Sequence, residues 1–136
     1  MPHPIIKSLG AVFLSLILAF GLIVGVEGLS LILHPWPEDF SGTPEEIILQ
    51  VQNYPTGALA FLGGMGWGTT MLFSTFIATR FGHNRNPLHG YSVGLLLLSM
   101  AVFNMTLLPY PFWFWILNLT VLPAAAFFGT NWARMI

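Results

Sequence analysis

The chain has no cysteine, which excludes disulfides, thiolate nucleophiles and cysteine-ligated clusters. Charge is almost as scarce. Four basic and five acidic residues make up 7% of 136 positions and leave a formal charge of -1, so no basic field exists to hold nucleic acid. The sequence also lacks any Ser/His/Asp set, paired catalytic carboxylates or metal-protease motif, so the reading is non-enzymatic and no cofactor is expected. His3, His34, His83 and His89 include no pair at i, i+4 spacing, and no metal site is expected. No internal repeat is evident, which disfavours an inverted-repeat transporter within one chain.

What is abundant is apolar surface. Hydrophobic residues are 55% of the chain and its mean hydropathy is +0.76, well outside the range of a soluble domain, so we expect an integral membrane protein. A membrane helix takes about 20 residues, which leaves room for four spans in a single domain covering residues 1–136. The expected class is all-α, a four-transmembrane-helix bundle with helices at 8–33, 56–79, 90–108 and 111–133. The first apolar run follows Lys7 but is too long for a signal-peptide core and lacks a cleavage pattern, so it reads as a retained helix. His34-Pro35-Trp36-Pro37 stops that helix, because two prolines remove amide donors and force extended backbone. Pro109-Tyr110-Pro111 turns the chain between the last two helices, and Pro123 is expected to kink the fourth.

Charge placement orients the bundle. Lys7, Arg80, Arg85 and Arg134 fall before helix one, between helices two and three, and after helix four, whereas Glu38, Asp39, Glu45 and Glu46 share the opposite side. The positive-inside rule then puts both termini in the cytoplasm of a multi-pass protein. Trp36, Tyr54, Tyr110, Trp113 and Trp115 gather at the outer boundary, with Tyr91 and Trp132 at the inner one. Within the outer loop, Thr43-Pro44-Glu45-Glu46 reads as a helix start: Thr43 the N-cap, Pro44 in the first turn and Glu46 three residues after the cap. A short interfacial helix at 44–53, with Ile47, Ile48 and Val51 on its apolar side, serves either as a lid on the bundle or as a docking site for a partner.

Glu27 is the only charge inside the long apolar stretches, and a carboxylate at membrane depth must face a packed interior, a polar partner or a wet cavity. It lies eight residues before Pro35, about 12 Å from the helix end, and Asn104 and Asn118 fall about 7 to 11 Å below theirs. Three polar side chains thus share one depth, and we expect Glu27, Asn104, Asn118 and Ser30 to meet in a buried outer-half cluster. Such a cluster is either a hydrogen-bonded knot fixing helix register or a ligand or proton site. His34 shares the face of Glu27 two turns on, as a proton relay or a helix cap. Trp67, beside Gly64 and Gly68, either lines a pocket for a flat apolar ligand or fills a groove.

Small residues at four-residue spacing mark close helix contacts in membranes. On that basis Gly21, Gly25 and Gly28 of helix one, Gly64 and Gly68 of helix two and Gly94 of helix three are expected at helix interfaces. The string Gly63-Gly64-Met65-Gly66 has no lysine after it and lies at membrane depth, so it is not a phosphate loop.

The stretch Val26-Glu27-Gly28-Leu29-Ser30, followed by Leu33-His34-Pro35-Trp36-Pro37 and then Tyr54-Pro55-Thr56-Gly57-Ala58, resembles a family of small bacterial four-helix integral membrane proteins of undetermined function. The likeness covers most of the chain in layout and is specific in these short motifs. It implies a bacterial inner-membrane protein with Glu27 in the family's first-helix motif, and it brings no activity. Glu27 and Tyr54-Pro55-Thr56-Gly57 also look like features of the small multidrug-resistance transporters. Their first loop is short where this one runs to about twenty residues, and the charge bias here opposes the dual insertion that those transporters use.

Two function classes follow. The first is a non-enzymatic membrane module, an accessory or interaction subunit of a larger membrane complex or a homo-oligomer, whose partners are protein and membrane lipid. The second is a proton-coupled transporter or channel for a small or hydrophobic solute that uses Glu27. Pigment or quinone binding is a third, resting on aromatics at 15% of the chain.

Overall fold

The computed structural model describes residues 3–136, which are almost wholly helical and include no strand. Helix α1 runs Pro4–Leu33, α2 Pro44–Gln52, α3 Thr56–Leu59, α4 Trp67–Phe81, α5 Pro87–Leu107 and α6 Phe112–Met135. Between α3 and α4 the chain stays helical as a π segment, Ala60–Gly66. Three helices, α1, α5 and α6, are long and apolar enough to cross a membrane.

Caps explain the boundaries. Helix α1 begins four residues earlier than expected because Pro4 suits the first turn and His3 Nδ1 accepts the Ile5 amide at 3.2 Å. It ends where Pro35 and Pro37 follow His34, whose amide still donates to the Ser30 carbonyl at 2.8 Å. Its 30 residues extend about 45 Å, more than the roughly 30 Å of a bilayer core. Helix α5 likewise starts at Pro87 rather than Gly90, with Asn86 Oδ1 accepting the Leu88 amide at 2.9 Å. Pro123 lies inside α6 without ending it.

The start of α2 follows the expected capping box. Thr43 Oγ1 accepts the Glu46 amide at 3.3 Å, and the Glu46 carboxylate accepts from the Thr43 hydroxyl at 2.8 Å and the Ser41 hydroxyl at 2.6 Å. These bonds hold the Glu46 carboxyl down at about 2 against an ordinary 4.5, the Ser41 hydroxyl being the largest cause. A depressed carboxyl stabilises structure above its unfolded pKa and loses that contribution as pH falls through the folded one. The first turn of α2 is therefore expected to persist above about pH 5 and to loosen between about pH 4.5 and 2. Amide exchange at Glu46 and Ile47 measures this, and a carboxyl titrating at its ordinary position would contradict it.

Helix α4 is the centre of the bundle and packs against α1, α5 and α6. Its contact surfaces are small and polar rather than leucine-rich: Ser74, Thr75 and Thr79 are fully buried, as are Ser15 of α1 and Thr130 of α6. Small side chains let backbones approach, and in lipid that packing replaces the hydrophobic drive available in water. Phe114, Leu117 and Val121 of α6 sit where side chains at Gly63, Gly64 and Gly68 would be. Gly94 faces Ala126 of α6, and Gly90 faces the hydroxyls of Thr79 and Thr130. The glycines of α1 behave otherwise. A Cβ at Gly21, Gly25 or Gly28 would meet no atom within 4 Å, so these expected packing positions make no contact within the chain. Ala11, Ser15 and Ala19, a second small-residue stripe on the same helix, carry the packing instead.

Beyond Ala19 no residue of α1 is buried. The N-terminal end of the helix is tied to α5 by a 2.7 Å hydrogen bond between Ser8 Oγ and His89 Nε2. Toward its C-terminal half a space opens between α1 and α5, and that space holds the site. Large apolar side chains such as Phe13, Phe20 and Ile32 are 67%, 71% and 78% exposed, as a lipid-facing helix requires.

Candidate functional site

A cavity of about 500 Å³ fills that space. Helix α1 contributes Glu27 and Ser30, α5 contributes Leu97 and Asn104, and the core side is formed by Leu62, Trp67, Met71 and Phe114. The loop after α1 and helix α2 line the remaining side through Trp36, Phe40, Ile47 and Val51, so α2 stands as a cover. The volume falls within the range of about 300–1,000 Å³ usual for small-molecule sites, and the walls are mainly apolar with a few polar groups, as such sites are.

Two tyrosines organise the polar groups. The hydroxyls of Ser30 and Tyr54 are hydrogen bonded, and the His34 ring meets Tyr54 edge-on with centroids 5.0 Å apart. His34 thus supports the Tyr54 side of the site, and it does not line the cavity. Opposite, the Tyr110 hydroxyl donates to Asn104 Oδ1 at 3.2 Å, while its ring stacks on Phe114 at 4.5 Å. Burial, and after it the charge of Glu27, pushes the Tyr110 hydroxyl up to about 12, so it remains a donor throughout the physiological range. Trp67 closes the aromatic corner, edge-on to Phe114 at 5.5 Å and to Tyr110 at 6.3 Å.

The expected three-member polar layer assembles only in part. Glu27, Ser30, Asn104 and Trp67 share the cavity, but Asn118 does not reach it. The Asn118 amide donates to the Phe114 carbonyl of its own helix at 3.1 Å, and its Oδ1 is buried without a partner. Phe114, one turn before Asn118 on the same face, and Leu122, one turn after it, are the α6 residues that line the cavity. Nor is Glu27 buried as expected. It is exposed on the cavity wall, with no hydrogen bond or ion pair to another side chain among the described residues. Among those residues no three His, Asp or Glu side chains gather as metal ligands.

Spacing arguments missed Tyr54 and Tyr110 as site members. Both lie outside the long helices, beside Pro55 and between Pro109 and Pro111, where no helical face can be computed. The available signal was chemical: a tyrosine at a membrane boundary has a polar tip that seeks a partner.

No family model, curated protein or solved structure matches this chain.

Proposed function

We propose that the chain is a non-enzymatic, four-span protein of the bacterial inner membrane that binds a small, largely apolar molecule in the Glu27 cavity, as a subunit of a larger membrane complex or as a homo-oligomer. Residues 56–81 supply the fourth span. They are helical throughout, carry a single charge at Arg80 near one end, and pack at the centre of three apolar helices. Four spans put both termini and every basic residue on one side, and the Ser8 to His89 bond, which brings the start of α1 beside the start of α5, supports that arrangement.

The observation that carries the binding role is the cavity beside an unpartnered Glu27. A register-fixing knot would surround the carboxylate with donors, whereas a site needs room and free hydrogen-bonding capacity. Proton-coupled transport is the second reading. The π segment favours it, because Leu62 and Gly63 place that segment in the cavity wall and π turns recur at functional sites.

Glu27→Gln tests the proposal. Because Glu27 is exposed and unbonded, the substitution is expected to leave thermal stability within about 0.5 kcal/mol and assembly unchanged. Small molecules retained on mild extraction, read by native mass spectrometry, are expected to fall roughly tenfold, the loss of one charge-assisted hydrogen bond. Loss of assembly with no bound species on the native protein would instead establish a structural knot. Uptake driven by a pH gradient in proteoliposomes, abolished in the same variant, would select the transport reading.

A further inference from the structure

We infer that the occupant of the Glu27 cavity is an amphiphile with a non-anionic head carrying at least one O–H or N–H, and that it enters sideways from the outer leaflet between α1 and α5. The inference rests on the binding role proposed above.

Charge selects the head. Among the described residues, Glu27 is the only charged one on the cavity wall, and no Lys, Arg or His lines it. An anionic head would meet a like charge with no counterion, in surroundings of low dielectric where repulsion is weakly screened. Hydrogen-bond accounting points the same way. Ser30 and Tyr54 are bonded to each other, Asn104 Oδ1 accepts from Tyr110, and the Thr70 hydroxyl donates to the Gly66 carbonyl at 2.9 Å. Among the described lining side chains, the acceptors without a partner are the two oxygens of Glu27 and the amide oxygen of Gln50, which call for a donor on the ligand, while the free N–H groups of Gln50, Asn104 and Trp67 can serve an acceptor on the same neutral head. A primary amine and a primary alcohol both supply one. The rest of the wall, including Trp67, Leu97 and Phe114, is apolar and suits a hydrocarbon body.

The fold selects the route. Trp36, Phe40 and α2 line the cavity on the side of the outer loop, and the inner ends of α1 and α5 are joined through Ser8 and His89. Between those two limits the facing walls of α1 and α5 are open. Met100 lines the cavity and is 56% exposed, and Glu27 across from it is exposed as well. On a helix bundle in a bilayer, that flank faces lipid.

The test uses the full chain in lipid nanodiscs and three photoreactive probes with one dodecyl chain and an amine, alcohol or carboxylate head, at mildly alkaline pH so that the carboxylate is ionised. Labelled peptides are mapped by mass spectrometry. The amine and alcohol are expected to label the outer halves of α1 and α5, and the carboxylate at least roughly tenfold less, with Glu27→Gln narrowing that gap. The relation of amine to alcohol shows whether Glu27 pairs with charge or with a neutral donor. Carboxylate labelling equal to the others would overturn the head assignment while leaving the binding role intact. No labelling by any probe, on a protein that also retains nothing from its native membrane, would overturn the binding role itself. Met100→Trp is expected to slow labelling severalfold by narrowing the flank, and Ile23→Trp, at a cavity-lining position of α1, supplies the same block from the other helix. Unchanged labelling rates in both variants would overturn the sideways route.

Discussion

Gly129→Ala is expected to destabilise the bundle by roughly 1–3 kcal/mol, the usual cost of overpacking a tight interface. A Cβ at this position of α6 would run into the backbone carbonyl of Leu72 and the hydroxyl of Thr75 on α4. Neither can yield easily. The carbonyl is helix backbone, and the Thr75 hydroxyl is already committed to the Met71 carbonyl at 2.8 Å and the Leu72 carbonyl at 3.1 Å. Intrinsic propensity acts in the opposite direction, since alanine is favoured over glycine in a helix interior by about 1 kcal/mol. The sign of the measured change therefore decides whether the interface is as close as the contacts indicate. Gly25→Ala is the matched control: nothing lies within 4 Å of the added carbon, so it is expected to be neutral or to stabilise by up to about 1 kcal/mol. Thermal unfolding of both variants in one detergent, followed by circular dichroism, makes the comparison. A Gly129→Ala midpoint at or above the parent would remove the basis for the α4–α6 packing.

That pair of glycines also shows what a sequence can and cannot disclose about such a bundle. Helix ends were legible because they are written in local chemistry: Pro35 and Pro37 after α1, Thr43 and Glu46 at α2, Pro109 and Pro111 between α5 and α6. The early starts at Pro4 and Pro87 follow the same chemistry, proline in the first turn behind a capping side chain. Packing faces were less legible. Helix α1 carries two small-residue stripes, Gly21 to Gly28 and Ala11 to Ala19, and spacing alone does not choose between them. The choice is made by α4, which packs along α1 and whose Met71 and Ala78 share a buried core with Ala19. The candidate site was half legible for the same reason. Depth follows from residue counts, and Glu27 and Asn104 line one cavity, but the reach of Asn118 depends on a back-bond to Phe114 that competes with any partner across the bundle. The seven-residue π segment had no periodic signature beyond its three glycines, which lack the side chains that would resist a wider turn.

Phe114→Ala is the second large effect, and it ties the core to the cavity. The ring is fully buried, stacks on Tyr110, meets Trp67 and Trp113 edge-on, and occupies the space over Gly63. In a water-soluble core this truncation costs about 3–5 kcal/mol, part of it transfer of the ring from water and part the void left behind. Here the alternative surroundings are lipid, so the transfer part largely drops out and a cost of about 2 kcal/mol remains. The same change should unsettle the Tyr110 hydroxyl on Asn104 and enlarge the cavity, so retained ligand is expected to fall even though Glu27 is untouched. Gly63 supplies the internal check. Gly63→Ala alone drives a methyl group into the Phe114 ring, whereas in the Phe114→Ala background the same methyl enters the vacated space. The double variant should therefore be more stable than the sum of the singles by about 0.5–3 kcal/mol, the coupling usual for side chains in direct contact. Strict additivity in that cycle would mean that Phe114 does not cover Gly63, and the aromatic corner of the cavity would have to be rebuilt around Trp67 and Tyr110 alone.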